Sequence, residues 1–439
     1  MQQDRELVRG LGPWAATALV AGNIIGSGIY VLPGSLAEIA GPASLVAWGV
    51  TALGFLALTA VFADLGGAYP ISGGPQAFVQ RAFGDLAGLE TAFLYWVSTI
   101  TTNAAYATGF VAYLAIFFPG FAAGVPAQIA GQVLLWTFCG VNACGVRAVG
   151  GTQLAGTLLK AAPLVILAIA LFTLADADNL APFAPHGIGA VLPAIGLVSF
   201  LFLGSESATV PAEEVRGGGP AVRRAGYRGY GVACGVFFLI VVALALGVPS
   251  GAIAGSASPL AVAAQRALGP WGEWFLTLGA LVSIAGALNG WTLVAARMPF
   301  AAARAGIAPA ALGRIDPRTG TPLLSLLLST ACASALLLLT FHQSLLHTFN
   351  FIVLLSTATT LLALGGCCAA EFVLLRREPE RFTSAQRRRG GATACIGFVM
   401  VGVMMAGTGM EVMLLALLAM APPLAYRRWK IRKIRGHNT

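Results

Sequence analysis

The chain has 439 residues, 57% of them hydrophobic and 10% charged, with a mean hydropathy of +0.82 and a formal charge of +9. Soluble domains carry roughly 25% charged residues, so this composition excludes a water-soluble globular fold and points to a helical membrane protein. Its 55 Gly and 23 Pro fit that class, because neighbouring helices, side chains and waters satisfy the backbone groups that these residues free inside a bilayer.

A polar start at residues 1–9 leads into a long apolar stretch with no small-residue cleavage site, so the first helix is expected to stay in the mature protein. Windows of about 20 apolar residues, the length that crosses a bilayer, then centre near Ile25, Phe55, Thr101, Val133, Val165, Leu201, Phe238, Val282, Leu328, Thr359, Val401 and Leu417. About twelve membrane helices are predicted. Breaks fall on Tyr69-Pro70-Ile71-Ser72-Gly73-Gly74, Gly217-Gly218-Gly219-Pro220 and Asp316-Pro317-Arg318-Thr319-Gly320, and only Gly407-Thr408-Gly409 parts the last two windows.

With a cytoplasmic N-terminus, the even-numbered loops hold Arg81, Arg147 and the basic clusters at 216–228, 297–318 and 376–389. The outer loops hold Arg266 alone among Lys and Arg, beside Asp176, Asp178, His186, His342 and His347. Basic residues concentrate in cytoplasmic loops, so both termini are expected in the cytoplasm. The positive charge, including the tail at 427–435, then faces anionic lipid rather than nucleic acid. The 7 Cys are scattered; Cys139, Cys234, Cys332, Cys367 and Cys368 sit in apolar spans without metal-site or disulfide spacing and read as small packing residues.

An internal repeat points beyond membrane residence. The first span carries Gly26-Ser27-Gly28 at its middle with Pro33 after it, and the sixth carries Gly204-Ser205-Glu206-Ser207 with Pro211 after it. Each opens a set of about five helices, the pattern of inverted repeats with broken helices at the bilayer midplane. The free N–H groups and positive dipole end at Ser27 and Gly28 suit a carboxylate; unwound carbonyls near Ile24, Phe200 and Leu203 suit an ammonium. Small residues in a membrane helix also serve close helix packing. Glu206 is costly near the membrane centre and should face a cavity or partner, which makes it a candidate proton site. Lys160, in the fifth span, either occupies the interior or snorkels to the cytoplasmic edge.

These residues resemble a known family. Gly22-Asn23-Ile24-Ile25-Gly26-Ser27-Gly28-Ile29-Tyr30-Val31-Leu32-Pro33 is similar to the first-helix signature of the amino acid–polyamine–organocation permeases. So are Ser72-Gly73-Gly74 before Ala82-Phe83-Gly84, the run Phe202-Leu203-Gly204-Ser205-Glu206-Ser207-Ala208 with Ala212-Glu213-Glu214-Val215, Gly290-Trp291-Thr292 and Gly320-Thr321-Pro322. Within that superfamily the likeness is greatest to basic amino acid/polyamine antiporters such as arginine/agmatine exchangers. It implies an all-α polytopic protein of about twelve helices, a leucine-transporter-like five-plus-five inverted repeat plus two C-terminal helices, and alternating access in a bacterial inner membrane. The corresponding divisions are a cytoplasmic N-terminus at 1–11, repeats at 12–180 and 187–377, helices 11 and 12 at 391–427 and a basic cytoplasmic tail at 428–439.

By the same resemblance, Ser27 and Gly28 would hold a substrate carboxylate and the carbonyls of Ile24, Phe200 and Leu203 its amino group. Trp291 would stack on a cationic side chain, Asn103 would contact that side chain's end, and Tyr95, Phe200 and Glu206 would serve gating and proton response. Lys160 matches branches in which a lysine amine takes the place of a bound sodium. Each also has an ordinary use: an aromatic packs or anchors, and an Asn joins helices. The chain departs from the arginine exchangers at Phe200, where they have tryptophan, at Tyr106, where they have an aliphatic residue, and at Val353-Leu354-Leu355, where they offer serines; Gln76 and Phe78 stand where they carry tyrosines. Arginine itself and their pH gating are therefore in question. A small-molecule substrate, the bilayer and, as in relatives, a homodimer are the partners in view; no cofactor, metal or nucleic acid is expected.

No Gly-x-x-x-x-Gly-Lys-Ser/Thr loop cradles nucleotide phosphates, and no selectivity-filter run suggests a channel. The 4 His, all assigned to loops or tail, do not form the clustered acid-base or metal set of a membrane enzyme. The remaining alternatives are a proton-coupled neutral amino acid permease and a non-transporting sensor built on the same fold.

Overall fold

A computed structural model describes residues 11–71, 73–144, 153–340 and 344–436. Ser72, Arg147, His342 and the N-terminal segment through residue 10, on which sequence expectations fall, lie outside them. The described helices are α1 (Pro13–Ile24), α2 (Gly28–Ile39), α3 (Ser44–Ala68), α4 (Pro75–Phe83), α5 (Asp85–Phe117), α6 (Gly124–Ala143), α7 (Gln153–Phe172) and α8 (Val191–Leu201), then α9 (Gly218–Gly247), α10 (Ser250–Ile253), α11 (Pro259–Arg304), α12 (Leu323–Thr340), α13 (Leu345–Arg377), α14 (Ser384–Gly407), α15 (Met410–Leu418) and α16 (Ala421–Gly436). Nine described segments are long and apolar enough to cross a membrane, and three shorter apolar helices lie at Leu159–Phe172, Ile188–Leu201 and Leu323–Leu339. Each of the twelve sequence windows falls on one of these segments.

Helix ends follow local chemistry. Pro13 opens α1, where its missing N–H costs nothing. Thr383 and Gln386 form a reciprocal capping box that starts α14. The glycine run after the sixth span is no loop: Gly217 and Gly218 take positive φ (92° and 58°), and α9 begins at Gly218. Two further details depart from the sequence reading. Residues 75–83 form a helix of their own, and His347, assigned to a loop, sits in the first turn of α13, its N–H bonded to the Ser344 cap.

Packing relates the two sets of five. Helix α5 lies against α13 as α11 lies against α7, and α1 lies against α9 as α8 lies against α3; α5 with α11, α6 with α12 and α3 with α9 pair across the repeat. Exchanging each helix for its counterpart maps these contacts onto themselves. Buried side chains concentrate on α1, α2, α3, α5, α8 and α13, whereas α6, α14 and α15 turn Val125, Ile129, Val133, Phe398, Val399, Leu414 and Leu418 outward. In a bilayer such apolar faces meet lipid tails.

Candidate functional site

The first span breaks at residues 25–27. Ile25 leaves the helical region (φ −77°, ψ 83°), and α2 restarts when the Ser27 carbonyl accepts the N–H groups of Tyr30 at 3.1 Å and Val31 at 3.2 Å. The N–H groups that open α2 have no intrahelical acceptor, and the positive end of its dipole points into the break. Ser27 is fully buried, and its Oγ has no hydrogen-bond partner among the described residues. A Cβ at Gly28 would lie 3.1 Å from the side chains of Phe200 and Leu201, so the second broken span closes directly on the first.

The sixth span breaks after Leu201. Gly204 turns through φ 106°, which favours glycine, and the chain resumes as two single 3-10 turns, Ser207–Thr209 and Ala212–Glu214, rather than as a second α-helix. Glu206, just before the first of these turns, is fully buried. Its Oε1 accepts the Tyr95 hydroxyl at 2.5 Å; its Oε2 accepts the Gly204 N–H at 3.2 Å and the Ser205 hydroxyl at 3.4 Å. No described Lys or Arg forms an ion pair with it. Asn23, just before the first break, donates from Nδ2 to Ser207 Oγ at 3.0 Å and so ties the two breaks together.

Around the breaks, α5 contributes Asn103 and Tyr106, and α11 contributes Trp291, all buried. Asn103 Oδ1 and Trp291 Nε1, like Ser27 Oγ, lack a hydrogen-bond partner among the described residues. Trp291 is brought to the first break through its neighbour Gly290, where a Cβ would lie 3.2 Å from Asn23 Oδ1. The Tyr106 hydroxyl occupies the space that a side chain at Gly26 would need. Its ring meets Phe200 edge-on at 6.3 Å, and Phe200 meets Phe349 at 6.4 Å, so three aromatics roof the first break. Of the carbonyls expected to hold an amino group, that of Ile24 accepts Gly26 N–H at 2.9 Å and that of Phe200 accepts Leu203 N–H at 3.2 Å. Each keeps a second lone pair.

Lys160 does not snorkel. It is 5% exposed, and its Nζ donates to the Gly22 carbonyl at 3.1 Å, one turn before the first break. A Cβ at Gly286 would lie 3.2 Å from its Cε, so the stem runs between α1 and α11. The sequence-selected residues thus gather in one region, with Tyr95 and Glu206 together and Lys160 behind the first break. Sequence reasoning missed the Asn23–Ser207 bridge, the Phe349 roof and the Thr102–Ser356 hydroxyl pair (2.7 Å) that joins α5 to α13 below Val353-Leu354-Leu355. It also missed the buried carboxylates Glu90 and Glu371, whose oxygens have no hydrogen-bond partner among the described residues. The available signal was a polar residue in an apolar stretch, as with Asn23.

Two interrupted spans facing each other across paired helix sets define a membrane protein of the broken-helix carrier class. The chain belongs to the amino acid permease family, whose model matches residues 11–425. Over 336 residues it is 32% identical to the cadaverine/lysine antiporter of Escherichia coli K12, covering 75% of this chain and 74% of that one. It is 30% identical over 348 residues to the arginine/ornithine antiporter of Pseudomonas aeruginosa PAO1, covering 75% and 71%. A putative arginine/ornithine antiporter of E. coli K12 is 30% identical over 351 residues, covering 75% of each chain.

Proposed function

We propose that this permease is a sodium-independent antiporter that exchanges a basic amino acid for another cationic amine across a bacterial inner membrane, with both termini cytoplasmic. The observation that carries this reading is Ser27 Oγ, fully buried at the first break without a hydrogen-bond partner among the described residues, with the unpartnered Asn103 Oδ1 buried on the neighbouring α5. Buried polar groups are costly when unpaired, and a zwitterion with a polar tail supplies what they lack. Ser27 and Gly28 hold its carboxylate; the carbonyls of Ile24, Phe200 and Leu203 hold its amino group; Asn103 and Trp291 meet its side chain. Tyr95, Phe200 and Glu206 gate, and the Lys160 ammonium supplies the fixed positive charge that a sodium ion would otherwise bring. Helices α1 to α7 and the chain from α8 to α13 act as the two repeats, divided near 12–180 and 187–377, with 391–427 added outside them. The names of the relatives, whose stated substrates are lysine, cadaverine, arginine and ornithine, support the substrate class.

A second reading, a proton-coupled neutral amino acid permease, is favoured by one observation: Glu206 is held by neutral donors alone, so it can carry a proton without breaking an ion pair. Uptake of radiolabelled arginine, lysine, ornithine, putrescine and a neutral amino acid into proteoliposomes, with and without internal substrate and a pH gradient, separates the two. Exchange confined to cationic solutes supports the antiporter. Gradient-driven neutral uptake replaces it with the permease, and the absence of any flux points to a sensor.

A further inference from the structure

Away from the broken helices, on the face that bears the basic loops, the start of α9 and the start of α14 enclose a cavity of about 500 Å³ walled by Arg223, Arg224, Tyr227, Arg228, Arg381 and Gln386. The carboxylates beside it are already shared. Asp64 meets Arg389 at 3.1 Å and Arg223 at 3.6 Å, and Glu378 meets Arg81 at 2.7 Å and Arg381 at 2.9 Å. Arg224 and Arg228 meet no carboxylate among the described residues. They stand one helical turn apart on α9, where like charges repel. Two guanidinium groups without a carboxylate partner therefore border a cavity whose surface is otherwise mostly apolar.

Depth narrows the ligand. The Arg228 guanidinium lies 5.3 Å over the Trp14 ring, and Trp14, at the start of α1, is 64% exposed. Tryptophans so placed mark the headgroup level of a bilayer. Arginine forks match the oxygens of a phosphate bidentately, and Tyr227, whose hydroxyl takes Arg389 Nη2 at 3.2 Å, adds an aromatic wall. We propose that this cavity binds a phosphate ester, with the headgroup of an anionic phospholipid as its source. A phosphate there relieves the Arg224–Arg228 repulsion and pins α9, which packs on both α1 and α3, to the start of α14.

The test uses the purified full chain, delipidated in neutral detergent and offered equal phosphatidylglycerol and phosphatidylcholine, with retained lipid read by native mass spectrometry and melting temperature measured alongside. Phosphatidylglycerol should be retained preferentially and should raise the melting temperature. The double variant Arg224→Gln, Arg228→Gln should lose that preference by about tenfold. Arg387→Gln, Arg388→Gln, which removes equal charge outside the cavity, should keep it. Should the first variant fail to fold, Arg224→Lys, Arg228→Lys retains the charge without the fork and should weaken the preference. If inorganic phosphate protects while phosphatidylglycerol shows no advantage, the phosphate site stands and its source is soluble. Equal retention of both lipids without protection by phosphate, or equal losses in both glutamine variants, overturns the proposal.

Discussion

At residues 25–27 the helix stops and restarts with Ser27 Oγ unpartnered among the described residues and the N–H groups that open α2 without intrahelical acceptors, whereas at residues 202–206 the chain brings its own acceptor, Glu206, to the Gly204 N–H, the Ser205 hydroxyl and Tyr95. Both interruptions remove helical hydrogen bonds inside an apolar bundle, and each group left unsatisfied there costs several kcal/mol. The second break is satisfied from within and holds its shape without a ligand. Under the proposed function, the first depends on what arrives. A neutral, open break suits recognition; a closed, acidic one suits control of when the open one can be reached.

The comparison is broken most severely at Glu206. Its carboxylate accepts at both oxygens, while an amide accepts at only one, so Glu206→Gln turns one of these contacts into two facing donors. Exchange in proteoliposomes should fall by about 100-fold, in line with about 3 kcal/mol for a spoiled buried contact to a charged group, and its pH dependence should flatten while membrane insertion persists. An unchanged pH profile would remove Glu206 as the proton site. Lys160→Met should come next, because it leaves the Gly22 carbonyl buried without its donor. A loss of about 2 kcal/mol, seen as a lower melting temperature in detergent, is expected; sodium-stimulated transport in this variant would support the fixed-charge role, and unimpaired transport that still ignores sodium would contradict it.

On the open side the effects are smaller and fall on binding. Ser27→Ala removes one hydroxyl and should weaken substrate affinity by about fivefold, or roughly 1 kcal/mol, with the pH profile intact; a shifted profile would mean that the two breaks are not functionally separate. Trp291→Ala should weaken cationic substrates several-fold more than small neutral ones, as loss of a cation–π platform does, and equal losses for both would reduce Trp291 to packing. The smallest effect is expected far from either break, at Glu378. Arg81 beside it holds its carboxyl below the usual carboxylate range. The pair's contribution is therefore present above the unfolded pKa and is lost only as pH falls through the lowered folded value. For an exposed pair this is about 0.5 kcal/mol, so Glu378→Gln should melt slightly below the unmodified protein at pH 7 and level with it in strong acid.

The spans were legible because hydropathy over about 20 residues survives any packing arrangement, and both breaks were legible because Gly-rich, polar residues interrupt apolar runs only where something compensates. Packing supplied what the pattern could not. Tyr106 reads as one more aromatic in an apolar helix until its hydroxyl is found over Gly26. The fate of Lys160 was open because a long stem reaches either the edge or the interior, and only the Gly22 carbonyl decides it. Helix α4 is short and mixed in polarity, so no membrane-length window contains it. The sixth span resembles the first in sequence, yet its second half winds as two 3-10 turns around Glu206, an asymmetry that the shared glycine pattern conceals.

The Lys160–Gly22 contact has an electrical consequence. An ammonium bonded into the scaffold is neither taken up nor released in a cycle, so under the exchange reading the current carried by the protein is set by its cargo alone. Swapping one monovalent amino acid for another should be silent to voltage, whereas swapping it for a divalent diamine should move one net charge per turnover. That charge is worth about 2.3 kcal/mol per 100 mV, enough for the membrane potential itself to choose the direction in which the diamine travels.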